Sequence, residues 1–170
     1  MPETITIALV ACAKAKRPGR HQAKNLYNST LFTYSRKYAE THADRWFILS
    51  AKHGLVHPDS MLDFYHGTLK NVPLPVKNRW AHKVYDQIKA LNLDPQNTRI
   101  MWLAGNDYKS ELSPMLTRFR QDDPLRNMKL GDRMAWLKAQ LEGEEAPAEQ
   151  SPEEELPADD APANSSDEPA

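Results

Sequence analysis

The sequence predicts one α/β domain of three layers, doubly wound around a small and mostly parallel sheet, followed by a disordered acidic C-terminal tail. Three observations lead there. Short apolar runs of β-forming residues recur at Thr4–Ala11, Arg45–Ser50 and Thr98–Ala104. Longer segments with apolar residues at helical spacing separate and follow them. Each run also ends abruptly in small, charged and glycine residues, as a strand-to-helix loop does. Alternating strand and helix signals imply parallel pairing with right-handed crossovers.

Thr4–Ala11 alternates at first and then turns wholly apolar, as a central strand buried on both faces would. It runs into Cys12, Lys14, Lys16 and Arg17 before Pro18-Gly19 ends regular structure. Three cations just past a strand end form a candidate anion cradle. Asn28 or Ser29 caps a helix reaching about His42, with Leu31, Tyr34, Ser35 and Tyr38 inward and Arg36 and Lys37 outward. Tyr27, just before it, is either a packed loop residue or a ring for stacking.

The strand Arg45–Ser50 completes the first β-α-β unit and exits through Ser50, Ala51, Lys52, His53 and Gly54. Pro58-Asp59-Ser60 then supplies turn chemistry, because Pro fixes one dihedral and Asp and Ser bond local backbone. From Met61 to Leu69 two readings stand. Either Tyr65, His66 and Thr68 line a crevice, or Leu62, Phe64 and Leu69 close the core over it. Pro73 and Pro75 open a helix from about Val76 to Leu91, with Trp80, Val84, Ile88 and Leu91 as its core stripe.

Thr98–Ala104 is the third strand, and Gly105-Asn106-Asp107-Tyr108 turns it into a helix reaching about Phe119. Gly105 permits close backbone approach, and the helix start offers N–H groups to an anion. After the break at Asp122-Asp123-Pro124, a last helix covers Leu130–Leu141, with Leu130, Met134, Leu137 and Leu141 on one face. Arg133 opposes the dipole near its start, a position better tolerated where the cation meets a ligand.

The chain of 170 residues divides into a folded body, residues 1–141, and a tail, residues 142–170. No apolar run approaches the roughly 20 residues of a membrane span. The N-terminus lacks a basic region before its β-branched apolar segment, so it reads as a strand and not a signal peptide. Cys12 is the one cysteine, which excludes an intramolecular disulfide and a multi-cysteine zinc site and fits a reducing cytoplasm.

The net charge of −1 conceals an asymmetry. From Glu142 onward there are 11 acids and no Lys or Arg, which leaves 12 acids against all 22 basic residues in the body. An excess so one-sided is the electrostatic footprint of a protein that meets phosphates. Pro147, Pro152, Pro157, Pro162 and Pro169 recur in the tail among Glu, Asp, Ala and Ser, a composition unable to offset chain entropy by burial. A tethered polyanion of this kind can occupy the basic face and be autoinhibitory, or serve only solubility.

Several spaced motifs carry a resemblance. Cys12-Ala13-Lys14-Ala15-Lys16, Asn25 to Ser29 and Ile48 to Leu55 resemble an uncharacterised bacterial and phage domain family of unknown function. Tyr65 with Thr68-Leu69, Gly105 with Tyr108, and the closing set Pro124, Leu125, Gly131, Arg133, Trp136 and Leu137 extend it. The likeness covers Ile5 to Leu141, and that family supplies no activity to carry over. A single motif, Leu49, Ser50, Gly54, Leu55, Pro58 and Tyr65, is similar to one in the peroxide-stress YaaA family of DNA-binding proteins. It also resembles one in the uracil-DNA-glycosylase-like domain of archaeosine synthase. Both imply a nucleic-acid or nucleobase setting, although a glycosylase water-activating motif is not evident.

The leading expectation is a domain directed at nucleic acid or a nucleotide, acting on a base or glycosidic bond in a crevice beyond the strand carboxyl ends. Lys14, Lys16 and Lys52 would hold phosphates, Ser50, Gly105 and Arg133 would line the crevice, and Tyr65 or Tyr108 would stack on a base. His53 or Asp59 would be the general acid or base, since imidazole titrates near neutrality and carboxylates can be tuned. Cys12 is a candidate nucleophile favoured by Lys14 and Lys16, against the commoner role of small core filling. The alternative is a DNA-binding protein without catalysis, using the same cations. A metal-dependent hydrolase on His53, His57 and His66 is disfavoured, because Gly54 and Pro58 interrupt the helix that His53 and His57 would need. No cofactor is implied, and the oligomeric state is not encoded in any recognisable pattern.

Overall fold

The central strand β1, Ile5–Ala11, lies between two parallel neighbours, β3 (Arg45–Ser50) and β6 (Thr98–Leu103), in a computed structural model that describes residues 3–144. Its residues Ile7 to Val10 are fully buried, which is why the sequence there is continuous rather than alternating. Two short strands finish the sheet. β4 (Gly54–Val56) returns antiparallel along β3, and β7 (Arg120–Asp122) adds in parallel to β6, giving the order β4-β3-β1-β6-β7. A separate antiparallel pair joins β2 (Arg20–Gln22) with β5 (Met61–Asp63).

Helices cover both faces. After the single turn α1 (Ala23–Leu26), α2 (Thr30–His42) starts at Ser29, whose Oγ accepts the Phe32 N–H at 3.0 Å. α2 packs on β1 and β3 and against α5 (Leu130–Glu144), where the Tyr38 and Trp136 rings lie 5.3 Å apart. α3 (Leu74–Lys89) contacts β4 and buries Trp80, Val84 and Ile88, the expected stripe.

The third helical segment is shorter than expected. α4 (Asn106–Lys109) is one turn, and Pro114 falls in a separate 3-10 turn, Ser113–Leu116, so no continuous helix reaches Phe119. Two apolar assignments also change. Leu130 is exposed at the start of α5, and Phe32 and Ala39 are fully buried on α2, where Leu31, Tyr34 and Tyr38 pack half-buried around them. α5 continues past Leu141 to Glu144. The acidic tail from residue 145 lies outside the described residues.

The turn from β3 to β4 is fixed by Gly54, at φ +79°. A Cβ there would fall 2.3 Å from Gln87 Oε1. That oxygen accepts the Leu55 N–H at 2.7 Å, while Gln87 Nε2 donates to His53 O and Leu55 O. Glycine is therefore required twice at this position, for its backbone angle and for the side chain seated against it.

Candidate functional site

Chain order reverses between β1 and β6. β1 connects to β3 on one side, the chain then crosses to β6 on the other, and a crevice opens between the carboxyl ends of β1 and β6. A cavity of about 110 Å³ lies there, lined by Cys12, Ala13, Ser29, Gly105 and Arg133 among others. The Arg133 Nε donates to Met128 O at 3.0 Å, which aims the guanidinium across α5's first turn. Its Nη1 would stand 2.9 Å from a Cβ on Gly105, so glycine leaves room for the cation. Both Nη groups lack a hydrogen-bond partner among the described residues.

Beside this cavity, the loop after β1 faces the loop between β5 and α3 across an open basin of about 800 Å³. Lys14, Lys16 and Lys70 bring positive charge to it, and Phe64 and His66 bring rings. Phe64 is 40% exposed, with the His66 ring edge-on to it at 4.8 Å. Lys16 Nζ donates to Gly67 O at 3.2 Å, which joins the two walls. Of the two readings for residues 61–69, both hold in part. Leu62 and Leu69 close the core, whereas Phe64, His66 and Thr68 line the basin.

Tyr65 and Tyr108, expected to stack on a base, present little ring surface to the crevice. Tyr65 is 5% and Tyr108 7% exposed, and each is engaged inside the core. The Tyr108 hydroxyl lies 3.2 Å from Cys12 Sγ and accepts the Leu69 N–H, while Trp80 meets its ring edge-on at 5.7 Å. The Tyr65 hydroxyl joins Ser50 Oγ at 2.8 Å and the Tyr27 hydroxyl at 2.6 Å. Around its ring sit Lys16 Nζ at 4.3 Å, Lys52 Nζ at 5.9 Å and His53 at 5.4 Å. The Tyr65 ring is thus occupied by cations, which its face attracts.

The other expected site residues separate. Ser50 is wholly buried and its Oγ accepts the Lys52 and His53 N–H groups, so it shapes the turn. Cys12 is buried against Tyr108 at the edge of the switch-point cavity. Asp59 stands apart with Lys24 Nζ at 2.7 Å, and that hydrogen bond holds its carboxyl below the usual carboxylate range, the wrong direction for a general acid. His53 is pushed down by desolvation and by the Lys52 and Lys83 charges, which favours the neutral imidazole of a base. Desolvation likewise lowers Lys16, which lies on the tyrosine rings.

His53, His57 and His66 do not converge. They meet Tyr65, Phe47 and Phe64 respectively, and among the described residues no group of three or more His, Cys, Asp or Glu is placed to hold a metal ion. Among those residues no helix is long and apolar enough to cross a membrane. Sequence reasoning missed Phe64 as a basin residue, because its apolar character and place in a mixed segment suit a core closure equally well. It also passed over Lys70, an isolated charge in a loop whose position only the fold reveals.

Two comparisons bear on this geometry. A family model described as a family of unknown function (DUF6884) matches residues 7–139. An uncharacterized protein, YfjM of Bacillus subtilis (strain 168), is 36% identical over 123 residues, covering 65% of this chain and 76% of its own. The family match spans the sheet and the crevice.

Proposed function

Since this chain belongs to the DUF6884 family of unknown function, we propose from its own crevice that it binds a phosphate-bearing nucleotide or nucleic acid at the carboxyl ends of β1 and β6. The observation that carries this reading is the basin, where Lys14, Lys16 and Lys70 surround the exposed Phe64 and His66 rings. Cations track phosphates and surface aromatics accept the face of a base, the pairing common to sequence-tolerant binders of single strands. Arg133 supports it, with two unpartnered Nη groups at the switch point, where ligands of open α/β sheets collect. Arginine suits this task because its planar fork matches phosphate oxygens.

Chemistry on the bound base or its glycosidic bond would draw on His53, the accessible group already held towards its neutral form. Asp59 is committed to Lys24, and Cys12 faces Tyr108. The second reading, a binding protein without catalysis, uses the same basin and is favoured by the engagement of the other candidates elsewhere, Asp59 with Lys24 and Cys12 with Tyr108.

The test is anisotropy of labelled single- and double-stranded DNA and RNA with the full chain across a salt series, beside Lys14→Ala/Lys70→Ala. Binding should weaken with salt by a log–log slope of about −0.7 to −0.9 per phosphate neutralised, and the double variant should bind more weakly with a shallower slope. Binding that ignores both salt and the double variant would remove the basin from the assignment. Mass spectrometry of the bound oligonucleotide then separates the two readings, since released or altered base appears only with catalysis.

A further inference from the structure

We infer that a second cationic groove, formed by Arg17, Lys24, Arg36 and Lys37, continues the basin into one track, so that the partner is a polynucleotide and not a free mononucleotide. The inference rests on the reading of the basin as a nucleotide site and goes on to name the substrate class. The groove is of about 520 Å³ and lies on the other side of the loop that carries Lys14 and Lys16.

That loop is a ridge held from beneath. Asn28 N–H donates to Ala15 O at 2.8 Å and Arg17 N–H to Leu26 O at 2.7 Å, and Lys16 pairs with Tyr27 as an isolated bridge. In extended backbone, successive side chains leave in opposite directions. Lys16 accordingly lines the basin and its neighbour Arg17 lines the groove. Consecutive Cα atoms are only about 3.8 Å apart, so the two cationic surfaces meet at the ridge.

The groove's charge is incompletely matched. Its one lining acid, Glu40, pairs with Arg36 at 3.0 Å, Lys24 pairs with Asp59 at 2.7 Å from outside the lining, and Arg36 is further fixed by Lys24 O and Asn25 Oδ1. Arg17 and Lys37 have no acidic partner among the described residues. One mononucleotide could neutralise one of these surfaces. A strand, with phosphates repeating along it, neutralises both, and the Phe64 and His66 rings favour a partner bearing bases over an acidic peptide.

The experiment measures binding of labelled oligo-dT from roughly 4 to roughly 16 nucleotides to the full chain, over a salt series. Affinity should climb with length. Arg17→Ala/Lys37→Ala should flatten that climb and reduce the salt slope by about 0.7 per cation removed, while leaving the shortest oligomer's affinity unchanged. Lys37→Glu alone, at an exposed position on α2, should act in the same direction without disturbing the loop. Equal affinity for short and long oligomers, unchanged in both variants, would overturn the track and leave the basin reading standing. Failure to bind any oligomer would remove both. Displacement of long oligo-dT by polyglutamate of equal charge, as effectively as by unlabelled oligo-dT, would overturn the nucleic-acid assignment in favour of an acidic protein.

Discussion

Ser50 Oγ and the Tyr65 hydroxyl, 2.8 Å apart, join the end of β3 to the segment after β5 that carries Phe64 and His66. A serine hydroxyl has one proton and two lone pairs. The Lys52 and His53 N–H groups occupy the lone pairs, so the Ser50 proton goes to Tyr65, and Tyr65 donates in turn to Tyr27. The hydrogen-bond direction along this buried chain is thereby fixed.

Tyr65→Phe should cost about 1–3 kcal/mol, because the Ser50 donor and the Tyr27 acceptor lose their buried partner. Urea denaturation reads the loss. The phenyl ring keeps its face to Lys16 and Lys52, so oligonucleotide affinity should change by less than about twofold, under 0.5 kcal/mol. A large loss of affinity with intact stability would mean that the hydroxyl touches the ligand.

Gly54→Ala should destabilise by about 1–2 kcal/mol from the positive φ alone, with a further cost from the contact with Gln87. Adding Gln87→Ala relieves the contact but loses three hydrogen bonds, so the double variant should remain less stable than the parent in thermal melts.

Arg133→Met should weaken nucleotide binding by about tenfold or more, the loss expected when a hydrogen bond to a charged group, about 1.5–3 kcal/mol, is removed. Gly105→Ala should act similarly by crowding the guanidinium. Isothermal titration with both variants checks this, and undiminished binding in both would take the switch-point cavity out of the site.

Burial raises Tyr27 to about 12 and pushes Tyr65 and Tyr108 up as well. A group whose folded value lies above its unfolded value of 10.0 stabilises fully below that pH and loses the contribution as pH rises through the folded value. Stability should therefore fall between pH 10 and about 12. Tyrosinate absorbance of the native protein should lag behind that of the denatured chain over the same interval.

Deleting residues 145–170 removes acids and no Lys or Arg. If the tail competes for the basic face, oligonucleotide affinity should rise at low salt and converge with the full chain's at high salt. Equal affinity at every salt concentration would reduce the tail to a solubilising appendage.

The three long strands, α2 and α3 were legible because burial on two faces leaves unbroken apolar runs and burial on one leaves a stripe. The three-residue strands β2, β4, β5 and β7 were not, since so short a segment shows no period. Lys14 and Lys16 stand just past the end of β1 and Arg133 near the start of α5, the positions that drew attention to them, but Ser50, Tyr65 and Tyr108 turned inward. A polar residue at a strand end can meet ligand or cap a turn with the same chemistry, and only its partner decides. The motif Leu49, Ser50, Gly54, Leu55, Pro58 and Tyr65 is accounted for in this way as architecture: a strand end, a buried hydroxyl pair and a glycine turn.

Gln87 has a consequence for the protein's company. Its amide accepts from the Leu55 N–H and donates to the Leu55 carbonyl, the same two groups that a further strand would use. The side chain is thus a one-residue surrogate strand that seals the outer margin of β4. At the opposite margin β7 has three residues and carries Arg120 and Asp122. Each rim of the five-stranded sheet is thus a strand of only three residues, the kind of short edge that resists recruiting a second sheet.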